Sequence, residues 1–221
     1  MISIIVPTLN EAPGILSVLT PLQTLRRRGH ELILVDGGSA DGTVDLAIPL
    51  VDRVLVVGPG RAAQMNAGAA LASGDALLLL HADTRLPAQA ESLIRRALRQ
   101  HRWGRFDVHI QGRSRLLPLV AAMMNLRSRL TGIATGDQAI FVDRAAFETL
   151  GGVPDQPLME DIELSRRLKT LGPPACLSER VVTSGRRWDS RGCLRTMLTM
   201  WRLRFDYWRG RSPKELALRY R

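Results

Sequence analysis

The chain is nearly without cysteine. Cys176 and Cys193 are the only two among 221 residues, they lack a CxxC spacing, and no histidine lies near them. This excludes a disulfide framework and a structural zinc site, and it fits a reducing, cytoplasmic setting. No apolar run approaches the roughly 18 residues of a membrane span. The start, Met1-Ile-Ser-Ile-Ile-Val, lacks the basic stretch of a signal peptide and runs straight into a strand-like segment. Any contact with a membrane is therefore expected from the side. Repeats and low-complexity tracts are missing, as are the signatures of RRM, KH and zinc-finger domains. Lysine is scarce: the 31 basic residues, against 21 acidic ones, are nearly all arginine. Such a balance attracts phosphorylated ligands, nucleic acid or an acidic membrane surface without choosing among them.

What is present is the composition of a folded protein, 45% hydrophobic and 24% charged, long enough for one domain with its own core. Short apolar runs at Ser3 to Pro7, Leu32 to Val35, Arg53 to Val57 and Ala76 to Leu80 have the near-continuous character of parallel strands covered on both faces. Between them, Glu11 to Arg28 has helical spacing and stops at Gly29. Asp41 to Ile48 reads as a short capped helix, and Ala62 to Leu71 as a small-residue helix suited to close packing. Further on, helices are expected at 89–100, 116–130, 143–150 and 161–171, and strands at 106–110 and 138–142. The pattern predicts an α/β fold with one Rossmann-like sheet flanked by helices, mainly parallel at its start and mixed toward its end.

In such a sheet, ligands sit beyond the carboxyl ends of the strands. The segments there are Pro7-Thr-Leu-Asn-Glu11, Asp36-Gly-Gly-Ser-Ala-Asp-Gly-Thr43, Gly58-Pro-Gly-Arg61 and His81-Ala-Asp-Thr84. Each alone has a plain reading: Asn10 as a helix cap, Asp36-Gly-Gly as a turn, Gly58-Pro-Gly as a loop. Four in succession on one sheet edge argue for a binding site. Arg61 offers a fork of donors to a base or diphosphate, or is a solvated surface arginine. Asp36 is a carboxylate of the kind that accepts from a base N–H or ribose hydroxyl.

With PTLNE, DGGSADGT, GRAAQMNAG, HADT and MEDIELSRRLK in this order, residues 1–185 resemble the family 2 glycosyltransferases of the GT-A, nucleotide-diphospho-sugar transferase type, and among them short bacterial members without a transmembrane tail. The resemblance implies an inverting transfer from a nucleoside-diphosphate sugar, UDP-sugar before GDP-sugar, to an acceptor the sequence does not identify. It implies that Pro7, Thr8, Asn10, Glu11 and Asp36 line the nucleotide pocket. His81-Ala82-Asp83 stands where the family has Asp-x-Asp, so Asp83 alone remains to hold a divalent cation, Mg²⁺ or Mn²⁺. Mg²⁺ commonly uses one or two protein carboxylates plus phosphate oxygens and water. His81 either coordinates, which would suit Mn²⁺, or contacts the donor with Ala82. A late histidine ligand, found in many relatives, has no counterpart after His109; Asp189 and Ser184 are the substitutes considered.

The resemblance further implies that Asp161 is the general base, and that Gly136, Asp137 and Gln138, with Glu160, shape the donor-sugar and acceptor side. Asp137 reads equally well as a turn cap, and Glu163 as an acidic residue favouring the helix dipole. Beyond residue 185, positions 186–221 form a basic appendage. Leu194, Met197, Leu198, Trp201, Phe205 and Trp208 recur at helical spacing among arginines. That helix packs on the domain, meets a second subunit, or docks on an anionic bilayer bearing a lipid-linked acceptor. Gly185-Arg-Arg-Trp188 belongs to the same surface or closes over the donor phosphates. Two other functions fit less well. A nucleotidyltransferase would need a glycine-rich basic loop near the N-terminus, which Pro7-Thr-Leu-Asn-Glu does not supply. A non-catalytic nucleic-acid-binding protein is prompted by charge alone, and no nucleic-acid partner is expected.

Overall fold

The structure, a computed structural model, describes residues 1–220; Arg221, the last residue of the expected appendage, lies outside the described residues. Eight strands form one sheet: β1 Ile2–Thr8, β2 Glu31–Asp36, β3 Arg53–Val56, β4 Ala76–Leu79, β5 Thr84–Arg85, β6 Trp103–Gln111, β7 Ile140–Asp143 and β8 Ala175–Ser184. Their order is β3-β2-β1-β4-β7-β6-β8-β5. The pairs β1–β2, β2–β3 and β1–β4 are parallel, β4–β7 and β6–β7 antiparallel, β6–β8 parallel and β5–β8 antiparallel. The first half is thus the expected parallel sheet and the second half is mixed.

β1, β2 and β4 are buried at every position, and successive residues serve opposite faces. Ile4, Val6 and Leu34 join α1 (Ala12–Arg27) through Ile15, Leu19 and Leu22 on one face. Ile5, Ile33 and Val35 meet α3 (Arg61–Leu71) through Ala62, Met65 and Ala69 on the other. The small residues of α3 have a steric cause: a Cβ on Gly68 would lie 2.5 Å from Ile5 Cγ2 and 3.0 Å from Val35 Cγ2. α2 (Thr43–Ala47), α4 (Ala90–Ala97), α5 (Leu117–Thr131), α6 (Arg144–Thr149) and α7 (Glu160–Leu168) complete the layers.

Strand β8 was not legible in the sequence. Its run Ala-Cys-Leu-Ser-Glu-Arg-Val-Val-Thr-Ser is only partly buried, so neither a continuous apolar run nor a clean alternation marks it. It nevertheless lies beside β6 over most of their length, with a register shift between Phe106 and Asp107. Beneath it, the fully buried Arg105 pairs with Asp107, which also accepts from Arg129 of α5 at 2.8 Å.

After β8 come α8 (Arg186–Arg191), α9 (Cys193–Trp208) and α10 (Pro213–Tyr220). The bounds of α9 match the sequence reading, but its packing face does not. Leu203 and Leu216 of α10 bury against Met159, with Met200, Tyr207 and Ile162 alongside. Cys193, Thr196, Met200, Leu203 and Tyr207 form this inward row, whereas Leu194, Leu198, Trp201, Phe205 and Trp208 are exposed. The most conspicuous apolar spacing is the outer one. Among the described residues, no helix is long and apolar enough to cross a membrane.

Candidate active site

A cleft of about 560 Å³ opens beyond the carboxyl ends of β1 and β4. Pro7, Thr8 and Glu11 line one wall, Arg61 and Gln64 a second, His81, Ala82 and Asp83 the floor, and Asp137 a third side. Thr183, Ser184, Arg186, Arg187 and Trp188 close the last side. Pro7, Thr8, Glu11, Arg61, His81, Ala82, Asp83 and Asp137, all singled out in the sequence, therefore meet in one cavity, together with Ser184 and the Arg186-Arg-Trp188 segment. Asn10, Asp36, Gly136, Gln138, Glu160 and Asp161 do not line it; Asp36, Gly136 and Glu160 touch residues that do, Thr8, His81 and Arg61 respectively.

Asp36, at the end of β2, is almost fully buried and spends its carboxylate on its own loop: it accepts from Gly38 N at 2.8 Å, Ser39 N at 2.7 Å, Ser39 Oγ, and Thr8 Oγ1 at 3.3 Å. Asn10 has a left-handed backbone with φ of 54° and is no helix cap. Its Oδ1 accepts from Ala40 N at 3.0 Å, while its own N–H donates to Ser39 Oγ at 2.8 Å. Together with Ala12 N donating to Asp41 and Glu11 N to Thr43, these bonds stitch the loops after β1 and β2 into one rim. Gln64 reaches beneath it and donates to Thr8 O at 2.7 Å and Val35 O at 2.8 Å. Gln64 was not singled out in the sequence, because an amide inside a helix lacks the strand-end position that marks the others, and its burial shows only in the structure.

On the floor, His81 Nδ1 lies 3.2 Å from Asp137 Oδ1. Gly136 permits this approach, since a Cβ there would drive into the His81 ring. Burial works against the charge on Asp137, but His81, Arg61 and Arg187 together hold its carboxyl below the ordinary range. Gln138 is fully buried and serves the turn, accepting from Thr135 N at 3.2 Å and completing the capping box there. Asp161, at the start of α7, accepts from Gly136 N at 2.9 Å and Ile162 N at 2.7 Å, so it supports the turn that carries Asp137. Burial and the adjacent Glu160 push its carboxyl up to about 6, against the pull of those two N–H groups and of Arg61. Arg61, partly exposed and 3.5 Å from Glu160 Oε1, has its pKa raised by Glu160, Asp137 and Asp161, which outweigh its desolvation.

Asp83 is the carboxylate left for a metal. Its Oδ1 has only long contacts, 3.4 Å to Thr84 Oγ1 and 3.5 Å to Thr183 Oγ1. No group of three or more His, Cys, Asp or Glu residues able to hold a metal occurs among the described residues. A loosely bonded carboxylate on the floor of a polar cleft suits a hard ion that takes most of its ligands from phosphate and water. Of the two substitute ligands, Ser184 lines the cleft, whereas Asp189 accepts from Arg113 N and Ser114 N and is spent on that loop. Arg186 spans the mouth, 2.6 Å from Glu11 Oε2 and 3.9 Å from Asp83 Oδ2, and Glu11 raises its pKa further. With Arg187 it supplies cationic donors to the side of the cleft opposite Arg61.

Comparison with known proteins gives the same outline. The sequence family described as Glycosyl transferase family 2 matches residues 3–143. A "PGL/p-HBAD biosynthesis glycosyltransferase" of Mycobacterium bovis is 39% identical over 102 residues, which is 43% of this chain and 40% of that protein. The chain thus spans about two fifths of the curated relatives it matches. Among solved structures, S. aureus TarS 1–349 in complex with UDP superposes with a TM-score of 0.65 at 18% identity, covering 83% of this chain and 60% of that one. Glucosyl-3-phosphoglycerate synthase from Mycobacterium tuberculosis, in complex with Mg²⁺ and UDP, gives a TM-score of 0.60 at 23% identity over 83% of this chain and 70% of that one. The fold is of the GT-A type.

Proposed function

The chain belongs to glycosyl transferase family 2, and from that premise we propose that it transfers a sugar from a nucleoside-diphosphate donor, a UDP-sugar before a GDP-sugar, to a hydroxyl acceptor with inversion. The observation that carries this reading is the cleft itself. Loops from β1, β3 and β4, the 136–138 turn and the end of β8 bring Asp83 and three arginines into one polar space, with the raised carboxyl of Asp161 directly behind it. That the structures above hold UDP, one of them with Mg²⁺, supports the choice of ligand.

In this reading the rim over Thr8, Asn10 and Glu11 receives the nucleoside. Asp36 fixes the shape of that rim through its loop, a less direct part than contact with the base. Arg61, Arg186 and Arg187 offer charged donors to the diphosphate. Asp83 would hold a divalent ion, Mg²⁺ or Mn²⁺, which supplies charge stabilisation to the leaving diphosphate. The acceptor oxygen forms a bond to the anomeric carbon while the bond from that carbon to the diphosphate oxygen breaks. The acceptor proton goes to Asp161, and the electron pair leaves with the nucleoside diphosphate. A single displacement inverts the anomeric centre. Asp137 lines the cleft and Asp161 sits behind the same turn, yet the depressed carboxyl of Asp137 is the poorer base, whereas Asp161 is poised near working pH.

The test is nucleoside-diphosphate release from a panel of UDP-, GDP- and dTDP-sugars with Mg²⁺, Mn²⁺ or chelator. One donor is expected to turn over with metal only. Asp83→Ala and Asp161→Asn are each expected to lower release by about 10²-fold or more. If no nucleotide of the panel raises the thermal midpoint in the presence of metal, the reading fails. If Asp137→Asn abolishes release and Asp161→Asn leaves it intact, the base is Asp137.

A further inference from the structure

A second cavity of about 360 Å³ lies between α5 and α9. It shares Asp137, Arg187 and Trp188 with the first, so the two chambers meet at the turn that Asp161 supports. Its walls are Val120, Met123 and Met124 on one side and Met197, Met200 and Trp201 on the other. Methionines of this kind make an adaptable apolar surface rather than a shape-specific one. Set into these walls are two half-buried guanidinium groups, three of whose nitrogen atoms are stranded. Arg127 Nε and Nη2 and Arg204 Nη2 are buried and have no hydrogen-bond partner among the described residues. Leaving such groups unpaired is costly, so each calls for a partner that water, an ion or a ligand can supply. Burial lowers the Arg127 pKa to about 10, with nearby Arg105 adding to the effect and Asp161 opposing it.

Outside the cavity, the same two helices present apolar rows to solvent. Leu119, Met123, Leu126 and Leu130 recur along α5, with Leu116 just before it, and Leu194, Leu198, Trp201, Phe205 and Trp208 along α9. Met123 and Trp201 belong both to these rows and to the cavity wall, so the apolar lining runs outward without a break. A stranded cationic pair at the inner end of an apolar slot, opening between two exposed apolar rows, is complementary to one kind of molecule.

We propose that this chamber is the acceptor site and that its acceptor is an anionic lipid bearing a head-group hydroxyl, with the anion on Arg127 and Arg204 and the chain leaving between α5 and α9. The assignment of the lipid as acceptor rests on the transferase reading above; the binding chemistry of the chamber does not. The head-group hydroxyl then faces Asp137, which lines both chambers, with the proton acceptor Asp161 beneath the same turn.

The full chain is titrated with decyl phosphate, phenyl phosphate and inorganic phosphate, read by the fluorescence of Trp188 and Trp201. Decyl phosphate is expected to bind at least about tenfold more tightly than the other two, and Arg127→Gln/Arg204→Gln to lose about tenfold or more of that affinity. The double variant removes stranded buried cations, so its thermal midpoint is expected to equal or exceed that of the wild type, which separates loss of the site from loss of the fold. Nucleotide binding with metal, measured in parallel, is expected to be unchanged in it. Equal binding of phenyl and decyl phosphate would overturn the lipid, and decyl phosphate binding indifferent to the double variant would overturn the site. Failure of all nucleotides to bind while the chamber binds decyl phosphate would sink the transferase reading alone. With vesicles, full-chain sedimentation is expected with phosphatidylcholine containing phosphatidylglycerol and not with phosphatidylcholine alone; sedimentation with both equally, or with neither, would also overturn the lipid.

Discussion

At the scale of single residues, Asp161 is the group whose chemistry is most sensitive to conditions. As a base it must be ionised, and its carboxyl is pushed up to about 6 by burial and by Glu160. Lowering the pH through that value protonates it, so kcat/KM is expected to fall on the acid side below about 6 and to reach a plateau above it. The pH profile of the free enzyme's transfer rate checks this. Asp137, whose carboxyl is depressed, stays ionised throughout that window and cannot produce the limb. A profile that is flat from below 5 to 7 would remove Asp161 from the role. Much of the site was legible at this scale because polar residues at strand ends are conspicuous against apolar strands, as Thr8, His81 and Asp83 were. Gln64 and Thr183 were not, the first because it sits inside a helix and the second because its strand went unrecognised. Arg127 was hidden for another reason: nothing in the linear order says that an arginine of α5 lacks a partner.

At the scale of elements, β6 carries a pair of charges into the core. Arg105 is fully buried and depends on Asp107, which also fixes α5 through Arg129. Asp107→Ala is expected to cost about 3–5 kcal/mol of folding stability, because it leaves a buried cation unpaired. Urea denaturation with an unchanged slope and a lower midpoint checks this, and a loss below about 1 kcal/mol would mean that water reaches Arg105. The early elements were legible because β1, β2 and β4 are covered on both faces and read as uninterrupted apolar runs. β8 carries Ser178, Glu179 and Arg180 mid-strand, and its cue was lost. α9 shows the converse failing. Its length and bounds followed from periodicity, but two apolar rows share the helix, and only tertiary contact with Met159 selects the row through Leu203.

At the scale of the whole molecule, the segment after residue 185 is built into both cavities rather than hung from the domain. Ending the chain after Gly185 removes Arg186, Arg187 and Trp188 from the cleft and Leu203 and Leu216 from Met159. Uncovering two or three such apolar side chains costs about 1.5–3 kcal/mol each. The shortened chain is therefore expected to melt earlier and to bind nucleoside diphosphate at least about tenfold more weakly, since two charge-assisted donors are gone. Calorimetric titration beside a thermal scan checks both, and unchanged nucleotide affinity would show that the arginines at the mouth are bystanders. The sheet order has one more consequence. Thr84 donates to Thr183 across 99 positions of chain, and β5 has β8 as its only neighbour in the sheet. During synthesis the amino-terminal half can assemble as it emerges from the ribosome, but the strand that follows Asp83 has nothing to pair with until nearly a hundred later residues have been made. The nascent protein can therefore build the parallel half of its sheet long before it acquires the last side of its cleft, from Thr183 to Trp188, and an arrest of translation between those two points would leave a partly folded chain unable to hold its substrate.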